Sequence, residues 1–283
     1  MNKVAVLIPC YNEEKTISEV VAEYKAALPD STVYVYDNNS SDNTYNVAKE
    51  AGAIVRREEY QGKGNVIRRM FADIEADAYL LVDGDMTYDS SVANLMINKL
   101  IDNKLDMVIC ARSEVSGSAY RLGHKFGNYF FTKTVGKIFG KKISDILTGY
   151  KALSRRFVKT FPVHGSGFDI EHEFTVHALE MRLPIAEITT EYFPRPDGSE
   201  SKLSTYKDGI KILFSIFKLT FTEKPLISFS IVSLFLLLIG TTWGWFYVVY
   251  PWILTGIIVA LPSVILATGL IILSFLIFLT GLI

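Results

Sequence analysis

The chain has 283 residues, and its 29 Lys and Arg and 30 Asp and Glu all lie before residue 225, leaving residues 225–283 without a charge. A charge-free run of that length crosses a ~30 Å hydrocarbon core twice at ~1.5 Å per residue, which excludes a wholly soluble protein, a disordered chain and a small disulfide-stapled scaffold. The net charge of −1 argues against a general nucleic-acid binder, and two cysteines, Cys10 and Cys110, suit a reducing compartment.

The first nine residues are too short for a signal peptide and read as a buried strand, so the front of the chain is expected in the cytosol. Residues 4–9 form an apolar run closed by proline. Residues 15–28 carry Ile17, Val20, Val21, Tyr24 and Leu28 at helical spacing. A β-branched and aromatic strand at 32–36 ends in Asp37-Asn38-Asn39-Ser40-Ser41-Asp42, a loop and helix-capping signal. A third strand is expected at 53–55, and Gln61-Gly62-Lys63-Gly64 opens a helix to about residue 74. The fourth strand, 79–82, runs into Asp83-Gly84-Asp85, followed by a helix through 95–101 and a strand at 107–110. This alternation predicts an α/β domain of right-handed βαβ units and a mainly parallel sheet. The polar clusters at 11–14, 37–42 and 83–85 fall at carboxyl ends of strands, where such sheets bind ligands.

Residues 119–142 contain Arg121 and five lysines but no acid, interleaved with aromatics, and 206–222 repeats the theme at helical spacing. Both read as membrane-surface elements, or else as core-packed aromatics beside a solvated basic face. Two spans are expected at about 226–248 and 253–276, joined at Tyr250-Pro251, with Trp243, Trp245, Tyr247, Tyr250 and Trp252 as an aromatic belt at the turn. Pro262 suggests a kink in the second span, and Gly240 and Gly244 form a small-xxx-small motif that could bring copies together as a homo-oligomer. Lys218 and Lys224 place the start of the first span in the cytosol. The expected organisation is a catalytic domain at 1–205, a juxtamembrane amphipathic helix at 206–224 and two transmembrane helices within 225–283.

Asp83-Gly84-Asp85 puts two carboxylates just beyond an apolar strand, on a turn opened by glycine. Such hard oxygen donors suit Mg²⁺ or Mn²⁺ shared with a diphosphate, and a pair of turn-forming, helix-capping aspartates is the alternative. An EF-hand is excluded because Tyr88 stands where its bending glycine is required.

Pro9-Cys10-Tyr11-Asn12-Glu13-Glu14, the 37–44 loop, Gly62-Lys63-Gly64 and Asp83-Gly84-Asp85 resemble, in order and spacing, the family 2 inverting glycosyltransferases, GT-A fold enzymes that use nucleotide-sugar donors. Cys110-Ala111-Arg112, residues 145–151 with Arg155-Arg156, residues 167–173 and residues 195–202 resemble one branch. That branch comprises the polyprenyl-phosphate glycosyltransferases related to dolichol-phosphate mannose synthase and bacterial undecaprenyl-phosphate glucosyltransferases. The resemblance implies that Pro9, Tyr11, Glu13 and Asp37 frame the base and ribose, with Lys63 and Asp83 also on the nucleotide. It further implies that Asp83 and Asp85 hold Mg²⁺ or Mn²⁺ with the sugar diphosphate, and that Arg195 and Lys202 reach that diphosphate. Arg112 and Arg121 would hold the lipid phosphate, and Asp145 would orient the acceptor or take a proton. The implied partners are a nucleotide-sugar, a polyprenyl phosphate and the bilayer, at which a multi-pass membrane protein would present its catalytic domain to the cytosol. UDP-glucose or UDP-N-acetylglucosamine is the expected donor, with GDP-mannose the alternative.

The chain departs from the branch at Thr87, where glutamine is frequent, at Asp37-Asn38-Asn39, where many relatives have two acids and glycine, and at Lys151, where arginine is common. A processive polysaccharide synthase would need a Gln-x-x-Arg-Trp motif, and Gln61 is the sole glutamine. A nucleotidyltransferase would carry a glycine-rich loop where this chain has Cys10-Tyr11-Asn12-Glu13. An inactive membrane scaffold, or a glycosyltransferase with another lipid or glycan acceptor, remains as a rival expectation.

Overall fold

A computed structural model describes residues 3–114, 143–162, 170–196, 224–257 and 260–283, with a few positions between them. Arg121, Lys202 and nearly all of the basic segments at 119–142 and 206–223 lie outside the described residues. The chain divides between Leu213 and Phe214 into two compact units.

In the first unit, β1 (Val4–Cys10), β2 (Thr32–Asp37), β3 (Ile54–Arg57), β4 (Ala78–Leu81), β5 (Met107–Glu114), β6 (Lys151–Ser154) and β7 (Ile185–Tyr192) form one sheet. Its order is β3-β2-β1-β4-β6-β5-β7. All neighbours are parallel except β6, which runs antiparallel to both β4 and β5. The helices are α1 (Ile17–Ala27), α2 (Thr44–Glu50), α3 (Lys63–Asp73), α4 (Ala93–Asp102), α5 (Arg155–Thr160) and α6 (Ile170–Glu180). The packed helices bury the middle of the central strands. Ala5, Val6, Leu7 and Ile8 of β1 and Ala78, Tyr79 and Leu80 of β4 expose no surface. Burial of each large apolar side chain contributes about 1.5–3 kcal/mol, which explains the unbroken apolar runs in these strands.

The alternation read from the sequence is thus present, with two differences. β5 runs on to Glu114, paired with β7 throughout from Met107↔Ile185 to Glu114↔Tyr192. β6 inserts between β4 and β5, a placement that no local pattern announces.

Two aromatic tiers lock the faces. Tyr150 meets Tyr24 edge-on at 6.1 Å and Tyr88 at 5.2 Å, and Tyr88 meets Tyr192 at 5.4 Å. On the other side Phe157, Phe161 and Phe174 surround His177, whose ring lies 5.5 Å from Phe157 and 5.3 Å from Phe161. Desolvation lowers the His177 pKa from its usual 6.5. The unfolded chain therefore takes up the proton first, so stability is lost as pH falls through about 6.5 and the loss levels off below the folded value. His177→Phe is expected to shrink the difference in melting temperature between neutral and mildly acidic buffer, measured side by side with the parent.

In the second unit, α7 (Pro225–Gly244) continues through a π-helical turn (Trp245–Val249) into α8 (Tyr250–Thr255), and α9 (Leu261–Leu282) returns alongside. The resulting helices of 31 and 22 residues, whose most apolar 18-residue stretches have mean hydropathy 2.1 and 2.5, are long and apolar enough to cross a membrane. The first helix runs on to Thr255, where Gly256 with φ +71° ends it, and the second starts at Leu261, so the two do not part at Tyr250-Pro251 as the sequence suggested. Pro251 is the second residue of α8, just after the wider π turn, so its missing N–H and ring are accommodated within the helix. The aromatic cluster consequently rides on the end of the first helix. Pro262 sits in the first turn of α9, where proline is tolerated and produces no kink. The Gly240/Gly244 face is occupied within the hairpin. A Cβ at Gly240 would lie 3.1 Å from both Leu270 and Ile271, and one at Gly244 would lie 3.4 Å from Ala267. Close helix approach between small residues, the basis for expecting association of copies, is used here inside one chain.

Candidate active site

A cavity of about 250 Å³ opens at the carboxyl ends of β1, β2 and β4, lined among others by Pro9, Tyr11, Glu13, Asn38, Lys63, Asp83, Asp85 and Arg195. Side chains stitch its rim together. Glu13 N–H donates to Thr44 Oγ1 at 2.8 Å, Asn12 N–H to Ser40 Oγ at 2.9 Å, and Thr16 Oγ1 to the Gly84 carbonyl at 2.6 Å. Asn38 ties the second loop to the segment before α3: its Nδ2 donates to the Tyr60 carbonyl at 2.8 Å and its Oδ1 accepts from Gly62 N–H at 2.7 Å. Gly62 has φ +130°, a conformation open only to glycine, and this lets the chain turn sharply into α3.

Asp37 is placed differently from the other residues expected around a nucleotide. It is fully buried beneath the loop, takes Arg57 Nε at 3.1 Å and Ser40 N–H at 3.2 Å, and is not among the cavity-lining residues. Asn38, to which the sequence reading gave no role, is.

Asp83 and Asp85 follow β4 on the turn opened by Gly84, whose position is forced by β1: a Cβ there would lie 2.7 Å from Cys10 Sγ. Met86, at φ +60°, holds the left-handed conformation that re-aims the chain after Asp85. Asp85 accepts from Thr87 Oγ1 at 2.6 Å and pairs with Arg195 Nη2 at 2.5 Å, while Arg195 Nη1 stands 3.7 Å from Glu13. Burial, and then the neighbouring Asp83 charge, raise the Asp85 pKa. Asp83 is held by Lys63 Nζ at 2.5 Å, and the same ammonium reaches Glu171 Oε1 at 2.7 Å. Burial opposes the Lys63 charge, but Asp83 and Glu171 overcome it and raise its pKa.

The end of β7 delivers Arg195. Tyr192 bridges to Tyr88, and Phe193 N–H donates to the Thr87 carbonyl at 3.0 Å, which fixes the strand's exit three residues before the guanidinium meets Asp85. Tyr192 also joins the cavity to a second charged cluster, because Arg112 Cζ lies 5.3 Å from the centre of its ring. Arg112 donates to Asp145 from Nε at 2.6 Å and Nη2 at 3.0 Å, a two-pronged pair supplemented by its own N–H at 3.3 Å. The Glu187 carboxylate holds the loop carrying Asp145, accepting from Ser144 N–H at 2.9 Å and Asp145 N–H at 3.3 Å. Arg121 and Lys202, expected at these two clusters, lie outside the described residues.

The pattern of glycosyl transferase family 2 matches residues 5–161. Glycosyltransferase AglJ of Haloferax volcanii is 32% identical over 256 residues, covering 90% of this chain and 84% of its own. The chain belongs to glycosyl transferase family 2. Another relative of this family 2 chain is the dolichol-phosphate mannosyltransferase of Pyrococcus furiosus, 27% identical over 87% of this chain and 72% of that one. Among solved structures, glucosyl-3-phosphoglycerate synthase from Mycobacterium tuberculosis, in complex with Mn²⁺, UDP and glucosyl-3-phosphoglycerate, aligns with a TM-score of 0.62 at 20% identity. That alignment covers 76% of this chain and 80% of that one, and the shared fold is GT-A.

For a family 2 glycosyltransferase the geometry singles out residues that the motifs left without a role. Gly149 packs directly on Asp83: a Cβ there would lie 2.4 Å from Oδ2 and 3.0 Å from Cγ. Its N–H donates to the Tyr88 hydroxyl at 2.8 Å, which prevents the loop from backing away. Gly149→Ala is expected to displace the Asp83 carboxylate and lower kcat about tenfold, since small misplacements of reacting groups are costly. Initial rates at saturating donor, with melting temperature as a folding control, check this. Glu171, inside the 167–173 segment that resembles the branch, was given no role by the sequence, and neither was Glu187, whose only signal is a carboxylate among ordinary strand residues.

Proposed function

We propose that this glycosyltransferase moves a hexose from a nucleotide-sugar to a polyprenyl phosphate at the membrane surface, with inversion and with a divalent cation at Asp83 and Asp85. The observation that carries the reading is the cavity's charge: among the described lining residues, the acids Glu13, Asp83 and Asp85 outnumber the cations Lys63 and Arg195. A dianionic diphosphate would be repelled by such a site unless a cation accompanied it. The donor set fits Mg²⁺ or Mn²⁺, being hard carboxylate oxygen beside a strand end, with Asp85 raised in pKa by burial and then by the Asp83 charge. Asp83 and Asp85 would hold the ion, and oxygens of the donor diphosphate would complete its shell. When bound, the metal supplies Lewis-acid stabilisation of the leaving diphosphate.

The chain's own groups do the positioning. Pro9, Tyr11, Glu13 and Asn38 shape the nucleotide cavity, with Asp37 bracing its floor through Arg57. Arg195, already beside Asp85, transfers its hydrogen bonds to the diphosphate, and Lys202 assists. Arg112 and Arg121 hold the acceptor phosphate. That phosphate is anionic near neutrality, its second pKa being about 6, so it needs aiming more than it needs a base. The two-pronged contact with Arg112 supports reading Asp145 as an orienting anion that keeps the guanidinium plane fixed. Lys224 at the start of the first apolar helix favours a cytosolic catalytic unit by the positive-inside rule. The kinship with a dolichol-phosphate mannosyltransferase supports the lipid-phosphate acceptor.

The test is mass spectrometry of the lipid products formed in proteoliposomes from UDP-glucose, UDP-N-acetylglucosamine and GDP-mannose, each with undecaprenyl or dolichyl phosphate. One donor should yield a polyprenyl-phosphate hexose. Transfer only to a different acceptor would overturn the lipid reading, and absence of both transfer and donor hydrolysis would identify a scaffold.

A further inference from the structure

We propose that Glu171 is a positioning residue for the cation site, acting through Lys63 to keep Asp83 available as a ligand. This rests on the assignment of Asp83 and Asp85 to a divalent cation. Lys63 is an unusual choice for its position. It opens α3, where the helix dipole disfavours a positive charge, and its side chain is only 7% exposed. Two anions compensate those costs. The ammonium lies 2.5 Å from Asp83 Oδ1 and 2.7 Å from Glu171 Oε1, and Glu171 itself is only 13% exposed.

The arrangement has a chemical consequence. An ammonium paired with Asp83 alone would neutralise that carboxylate and compete directly with an incoming cation. Shared with Glu171, whose charge also acts on the buried Lys151, the Lys63 ammonium is divided between two carboxylates and neutralises Asp83 only in part. Gly149, which leaves no room for a side chain against Asp83 Oδ2, holds the carboxylate so that its other oxygen meets Lys63. Glu171 reaches the site from α6, 108 residues away in sequence, and gives the ammonium a second carboxylate partner beside Asp83. A purely structural account is available: an acid in the first turn of α6 favours the helix dipole and pairs with a buried lysine. It predicts lost stability when Glu171 is neutralised, and no change in metal affinity.

The experiment measures Mn²⁺ binding to the full chain in nanodiscs by electron paramagnetic resonance, without nucleotide, alongside melting temperature. Glu171→Gln retains an oxygen for Lys63 but not the charge, and is expected to weaken Mn²⁺ binding at least about tenfold, because Lys63 then neutralises Asp83. Glu171→Asp, which keeps the charge, should stay within about threefold of the parent and serves if the glutamine variant does not fold. Lys63→Met should tighten binding, and combining it with Glu171→Gln should bring affinity back near the parent value, as expected of residues that act through one another. Unchanged Mn²⁺ affinity in Glu171→Gln, or a full loss that persists in the Lys63→Met background, overturns the proposal while leaving the metal site in place. If the parent chain binds no Mn²⁺ and Asp85→Asn changes nothing, the metal assignment itself fails and the proposal falls with it.

Discussion

Asp85→Asn is expected to abolish sugar transfer, by at least ~10²-fold in kcat, while the melting temperature stays at or above that of the parent. Preorganised charge stabilisation is commonly the largest single contribution to such a rate, and removing one element of it costs that much or more. The unusual half of the expectation concerns stability. Asp85 is 3% exposed, and burial together with the Asp83 charge raises its pKa, so the folded state holds this carboxylate ionised against its environment. An amide of the same shape removes that penalty and can still accept from Thr87 Oγ1. A site that is poorly placed for stability and well placed for a cation is the pattern of a functional carboxylate pair. Rates in proteoliposomes with and without chelator, together with thermal unfolding, check both halves. Near-parent activity would remove the metal from the mechanism. A large drop in melting temperature would show that Asp85 serves the fold through Arg195.

Arg112→Lys is expected to cut kcat/KM for the lipid phosphate about a hundredfold with little change in nucleotide affinity. Lysine keeps the charge, but it cannot donate two parallel hydrogen bonds to Asp145 and present a fixed plane to the acceptor. The stack of Arg112 on the Tyr192 ring would also be lost. Asp145→Asn should give a smaller loss and an unaltered pH profile, since its amide oxygen still accepts one hydrogen bond from the guanidinium. A profile that loses its acidic limb would instead make Asp145 the base. Parallel calorimetry with UDP or GDP and rates against acceptor concentration separate the sites. Loss of nucleotide binding in Arg112→Lys would move this arginine to the donor diphosphate.

The sequence alone established the alternation of strands and helices, the polar clusters at strand ends, the family 2 motifs and the charge-free tail. These are local properties: helical and strand periodicities, turn chemistry and the absence of charge act over a few residues, so they survive without knowledge of the fold. Tertiary structure decided what meets across the sheet. The antiparallel β6 is inserted between β4 and β5 and carries the loop that sets Gly149 on Asp83. Asp37 drops beneath the cavity, where Arg57 of β3 neutralises it. The first apolar helix runs on to Thr255 because a π turn lets it absorb Pro251. Glu171 reaches Lys63, and Glu187 holds the loop before Asp145, across 108 and 42 positions. A carboxylate in a helix or strand carries no local signature of the distant cation or amide it will meet. Such pairings arise only when the packed sheet brings their elements together, because the energy that selects them is long-range in sequence and short-range in space.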